Sequence, residues 1–135
     1  MIHCLIAIFY KYQGYHENRS YWASLIVHGF KKYEFRNWKT NYRGKILIHA
    51  GLSKENIDKF SDYNLDISSG EIIGEAVITD CILVSKEFDD ELRKINSLVY
   101  ENNHVGLYAF KLENVKKYDK RIKIKGKLGL WNFDK

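Results

Sequence analysis

The chain is expected to fold as an α+β, β-rich domain: a small, partly open β-barrel with short helices on its flanks. Three observations lead there. Short runs rich in Ile, Val, Tyr and Phe recur along the whole chain, as strands require. Only three segments carry apolar residues at helical spacing. The length of 135 residues suits one domain over 1–135, because two halves would each struggle to bury a core.

Ile2 to Tyr12 is β-branched and aromatic and reads as a first strand, with a polar loop from Gln13 to Arg19. Ser20 stands as an N-cap before Tyr21 to Val27, where Trp22, Leu25 and Ile26 fall at i, i+3 and i+4; Gly29 closes this helix. Lys31 to Arg36 alternates charge with Tyr33 and Phe35, and Lys45 to His49 encloses Ile46, Leu47 and Ile48, giving two strands. Leu52 to Tyr63 reads as a second helix, ending in a turn at Ser68 to Gly70. Glu71 to Val84 is the longest β-pattern, a central strand in which Gly74 marks a bulge or a close backbone approach. Phe88, Leu92, Ile95 and Val99 define an amphipathic third helix over Glu87 to Tyr100. Gly106 to Leu112 returns to strand, and extended pieces at Arg121 to Lys125 and Leu128 to Phe133 finish the chain.

Several classes of function lack a signal. The apolar stretch Cys4 to Tyr10 is far short of the ~20 residues that cross a bilayer, and it has neither a basic leader nor a small-residue cleavage site. No membrane partner is expected, and the chain reads as cytoplasmic. Cys4 and Cys81 are the two cysteines, both set among aliphatic residues, and are expected to be buried free thiols. Five histidines show no HExxH or CxxC spacing, so no metal is expected; no GxGxxG or GxxxxGK[ST] loop appears, and no cofactor is expected.

The net charge of +5 hides a strong asymmetry. Lys31 to Lys45 holds six basic residues against Glu34, and Lys111 to Lys127 holds eight against Glu113 and Asp119. Between them, Leu52 to Glu101 carries twelve acidic and five basic residues. Clustered cations gain affinity for phosphate by releasing counterions, so two such blocks meeting in space would form a nucleic-acid track. The bland alternative is that alternating lysines guard an edge strand. Aromatic residues interleave the basic ones: Tyr33, Phe35, Trp38 and Tyr42 in the first block, with Trp131 and Phe133 after the second. Unpaired bases stack on such rings. Tyr33 and Phe35 alternate within a strand and read as core; Trp38, beside Asn37 and Lys39, is the better candidate for an exposed ring.

Tyr21 to Ala50, YWASLIVHGFKKYEFRNWKTNYRGKILIHA, resembles the signature PWAxLIxxGxKxxExRxWxTxYRGxLxIHA of the ASCH domain, named for homology to activating signal cointegrator 1. Gly70 to Ile82, GEIIGEAVITDCI, is similar to the family's central strand, and Lys125 to Trp131, KGKLGLW, to its closing motif. The resemblance implies a PUA-like barrel with a cleft between the first helix, the GxKxxExR strand and the central strand. It implies binding of RNA or single-stranded DNA, and some similar proteins are enzymes, including a bacterial amidohydrolase of N4-acetylcytidine and a ribonuclease. Gly29, Lys31, Glu34 and Arg36 occupy the GxKxxExR positions. In the amidohydrolases the lysine is catalytic, but a Thr stands where this chain has Glu34. Tyr21 replaces the usual proline, in a chain that has no proline at all.

These lines give a set of candidate residues. Lys31 and Glu34 are the candidate catalytic pair: a lysine on the aromatic side of its strand is a potential base or nucleophile, and Glu34 either shuttles protons or pairs with Arg36 or Lys32. Lys32, Arg36, Trp38, Lys39, Arg43 and Trp131 are the candidate nucleic-acid contacts, the arginines supplying planar donors for phosphate or a base edge. The leading expectation is a nucleic-acid or nucleotide-binding domain for RNA or single strands. A hydrolase of RNA or a modified nucleoside is the alternative, and an adaptor that engages a protein partner through the acidic helix is the third reading.

Overall fold

Helical spacing of Trp22, Leu25 and Ile26 produces α1, Arg19–Val27, which buries all three of these side chains. Its end is a Schellman motif: Phe30 N–H donates to Leu25 O at 2.9 Å and Gly29 N–H to Ile26 O at 3.0 Å. Gly29 takes the left-handed conformation this turn needs, at φ 85°. The helix begins at Arg19, so Ser20 lies inside it rather than capping it. The computed structural model describes residues 2–7, 11–12, 15–16, 19–50, 58–66, 70–124 and 130–133.

Eight strands are described: β1 Ile2–Ala7, β2 Lys11–Tyr12, β3 Tyr15–His16, β4 Tyr33–Arg36, β5 Gly44–Ala50, β6 Glu71–Leu83, β7 Tyr108–Lys123 and β8 Leu130–Phe133. Six form one sheet in the order β4-β7-β6-β5-β1-β8, and β2 pairs with β3. Only β1 and β5 run parallel. The β6–β7 register shifts at three places, and the β5–β6 register shifts between Ile48 and His49. Such irregularities add twist. The sheet curls over its core without closing, the partly open barrel expected of the sequence.

The main core lies between the sheet and the helices, with Leu25, Ile46, Ile78, Tyr100 and Phe110 all 1% exposed or less. A smaller cluster centres on Leu47 and Ile72, with Tyr118, Ile122 and Ile124 packed against it. Gly74 sits where Val27, at the end of α1, packs against the sheet. A Cβ there would stand 2.5 Å from Lys116 O and 2.6 Å from Val27 Cγ1, which explains the glycine inside a long strand.

Four expectations need correction. The expected first strand is described over Ile2–Ala7, and Lys11–Tyr12 pairs instead with Tyr15–His16, which falls in the expected loop. The expected helix Leu52 to Tyr63 is a 3-10 helix over Asp58–Tyr63; its first residues lie outside the described ones. The third helix, α2, covers only Lys86–Ile95, capped by Ser85 Oγ, which accepts from Phe88 N–H at 3.1 Å. The expected strand Gly106 to Leu112 and the extended piece from Arg121 belong to one strand, because β7 runs unbroken from Tyr108 to Lys123 against β6.

Cys81 is a half-buried free thiol, whereas the side chain of Cys4 lies outside the described ones. Among the described residues no helix is long and apolar enough to cross a membrane.

Candidate functional site

The Schellman turn delivers the chain from α1 directly to the site. Lys31 N–H still donates to Leu25 O at 3.0 Å, so the lysine is tied to the helix end, while β4 begins two residues later. β4 is the last strand of the described sheet on its side, leaving alternate N–H groups without a strand partner. A side chain fills that role. Glu34 Oε1 accepts from Phe35 N–H at 2.9 Å; just before the strand, on the side of β7, Tyr100 Oη accepts from Lys32 N–H at 2.8 Å. Burial pushes the Tyr100 phenol up to about 12, so it stays neutral at ordinary pH.

Lys31 Nζ lies 3.4 Å from Glu34 Oε1, with side-chain exposures of 5% and 0%. Its ammonium stands 5.2 Å from the Trp22 ring centroid and 5.1 Å from that of Phe35. Both aromatic faces favour a cation. Glu34 Oε2 accepts no hydrogen bond from any described residue although it is sealed from solvent. Buried polar atoms are nearly always satisfied, so this oxygen is an acceptor that no described group uses.

Behind Phe35 lies a second polar group that the sequence does not announce. The His104 ring stacks on Phe35 at 3.9 Å with an interplanar angle of 20°. Its Nδ1 is 3.0 Å from Asp89 Oδ1, and its backbone N–H also donates to that oxygen, at 3.3 Å. Arg93 holds the other Asp89 oxygen at 2.8 Å. Burial drives His104 down to about 4, outweighing the Asp89 hydrogen bond, so the ring is neutral at pH 7 and donates from Nδ1.

The profile of the ASCH domain family matches residues 19–121, about three quarters of the chain. The chain belongs to the ASCH domain family. It is similar to activating signal cointegrator 1 from Homo sapiens, 29% identical over 127 residues, covering 84% of this chain and 21% of the relative. The Mus musculus protein of the same name is 28% identical over 127 residues, with the same coverage. This chain therefore spans about a fifth of the length of the curated relatives it matches.

Within this ASCH domain the sequence-predicted residues separate into layers. Lys31 and Glu34 meet although strand parity sets them on opposite faces, because Lys31 precedes β4 and is held by the helix end, where it faces the rings of Trp22 and Phe35. Arg36, 4% exposed, is buried in the same strand, whereas Lys32 and Lys39 are exposed. Arg43 is exposed too, but its Nη1 donates to Thr40 O and Tyr42 O, each at 3.0 Å, and Nη2 is 3.8 Å from Asp80. Trp38 is a correction: its ring is half-buried, edge-on to Phe110 at 5.2 Å, rather than a free platform. Trp131 pairs with Cys4 across β1 and β8; its side chain lies outside the described ones. Glu75 takes no part in the Lys31–Glu34 pair. It bonds Lys45 at 3.0 Å and Tyr118 Oη at 2.9 Å, and it is six residues, about 20 Å at strand rise, from Cys81, which stands in the Glu34 row.

The two basic blocks do meet, since Tyr33 pairs with Lys111 and Leu112 N–H donates to Lys32 O at 2.9 Å. Carboxylates interleave them, however. Asp66 binds both Lys117 and Arg121, Glu75 binds Lys45, and Asp80 faces Arg43. Lys32, Lys39, Lys116, Lys120 and Lys123 have no ion pair to a described carboxylate. The ASCH signature thus combines a dry Lys–Glu pair with exposed cations in the same chain segment.

Proposed function

We propose that this ASCH domain binds RNA or another single-stranded nucleic acid through the segment from Lys31 to Arg43. One observation carries the reading: a buried, aromatic-walled Lys31–Glu34 pair with one carboxylate oxygen unsatisfied shares a short segment with exposed Lys32, Lys39 and Arg43. Exposed cations suit phosphates, and a buried polar pair suits the edge of a base. Trp131 and Arg36 belong to this proposal as further contacts. The relatives' name, signal cointegrator, suits an interaction domain in general.

Fluorescence anisotropy of a labelled single-stranded RNA tests the reading. Binding should weaken steeply as salt rises, and a chain that binds nothing at low ionic strength contradicts it.

A second reading makes the same pair catalytic, in a hydrolase of RNA or a modified nucleoside. It is favoured by Lys31 Nζ, whose only described hydrogen bond is the long 3.4 Å contact to Glu34, within reach for proton exchange in a tightened complex. Incubation with N4-acetylcytidine and with structured RNA decides it. Turnover abolished by Lys31→Ala supports it, and turnover that survives this change removes Lys31 from the chemistry.

A further inference from the structure

Glu34 presents an asymmetric carboxylate. Oε1 already accepts the Phe35 N–H at 2.9 Å and faces Lys31 at 3.4 Å, whereas Oε2 is sealed from solvent with no described donor. A phosphate cannot answer this oxygen, because both would be anionic. What fits is a neutral N–H donor carrying an acceptor beside it, the donor for Oε2 and the acceptor for Lys31 Nζ. The unpaired Watson–Crick edge of a nucleobase has that arrangement. An exocyclic amino group meets Oε2 without a carbonyl on its far side. The uracil N3–H is flanked by two carbonyls, so one of them must lie against the anionic oxygen when the other faces Lys31.

We infer that this pair selects single-stranded bases bearing an exocyclic amino group over uracil. The inference rests on the nucleic-acid reading above and adds base selectivity to it. Because Lys31 is 4% exposed and Glu34 0%, a base reaches the pair only when side chains shift, and the flexible lysine stem is the element best suited to move. Selection therefore shows as equilibrium discrimination between otherwise similar ligands.

The test compares cytidine and uridine homo-oligomers of equal length, labelled alike, at one salt concentration, with the unmodified chain. Their backbones are the same and their rings nearly so; the chemistry at the 4-position differs. The cytidine oligomer should bind more tightly, on the order of tenfold. The isosteric Glu34→Gln chain, shown by thermal unfolding to be folded, should lose that preference, since an amide can turn its N–H₂ toward a carbonyl. Equal affinity for the two oligomers, or a preference for uridine, overturns the inference while leaving nucleic-acid binding intact. Binding of neither oligomer overturns the reading on which it rests.

Discussion

Lys31 Nζ and Glu34 Oε1 stand 3.4 Å apart, and the same oxygen accepts the N–H of Phe35 at 2.9 Å. One carboxylate thus closes an unpaired, buried strand edge and neutralises a lysine held among aromatic rings.

Removing the lysine alone should be costly. Lys31→Met leaves the Glu34 carboxylate buried with no counter-charge, a situation worth about 3–5 kcal/mol. The double change Lys31→Met with Glu34→Gln should recover much of that loss. Urea denaturation of the two chains checks both statements, and equal destabilisation by the single and double changes would refute the electrostatic account.

Gly74→Ala should lower the melting temperature by several degrees, from overpacking of roughly 1–3 kcal/mol. Its Cβ would meet backbone at Lys116 O, 2.5 Å away, as well as Val27 Cγ1 at 2.6 Å. Trimming Val27 to Ala in the same chain should therefore not restore stability. Calorimetry of the single and double variants measures this.

Acid should weaken the fold through His104. Its folded-state value, lowered by burial to about 4, lies below the ordinary 6.5, so the unfolded chain takes up the proton first. The stability contribution is complete above about pH 6.5 and is lost as pH falls toward 4, with a slope of at most about 1.4 kcal/mol per pH unit. Burial lowers His49 as well, so it acts in the same direction. Denaturation curves across this range should flatten in His104→Gln relative to the unaltered chain.

Salt dependence separates contact from decoration. Lys32→Ala and Lys39→Ala should each reduce the slope of log affinity against log salt by about 0.7, the value for one phosphate contact on a single strand. Lys94→Ala on α2, where Lys94 pairs with Glu91 at 2.8 Å, should leave the slope unchanged. Unaltered slopes for Lys32 and Lys39 would remove them from the interface.

Local rules carried the reading furthest where one residue dominates its turn or strand. Gly29 needs a positive φ, Gly74 needs room, and the Ile- and Val-rich run after Glu71 leaves little alternative to a strand. They failed where tertiary pairing decides. β7 continues through Glu113 to Lys120, a charged stretch containing Asn114 at φ 51°, because β6 supplies the ladder. α2 stops at Ile95 because Asn96 turns extended; its Oδ1 then accepts from Leu98 and Val99 N–H, starting a new turn. In the site, Lys31 and Glu34 were legible from the signature; strand parity sets them on opposite faces, and they meet because Lys31 is still tied to the end of α1, before β4 begins. Tyr100, Asp89 and His104 were not, since they reach it from a helix and loops distant in sequence; the lone signal was a histidine shortly before a strand.

Amide NMR spectra of the chain titrated with a single-stranded RNA test the central claim most directly. The account predicts that the largest shifts fall on residues 31–43, with His104 responding through its stack on Phe35. Shifts that are absent, or confined to Lys86–Ile95, would contradict it.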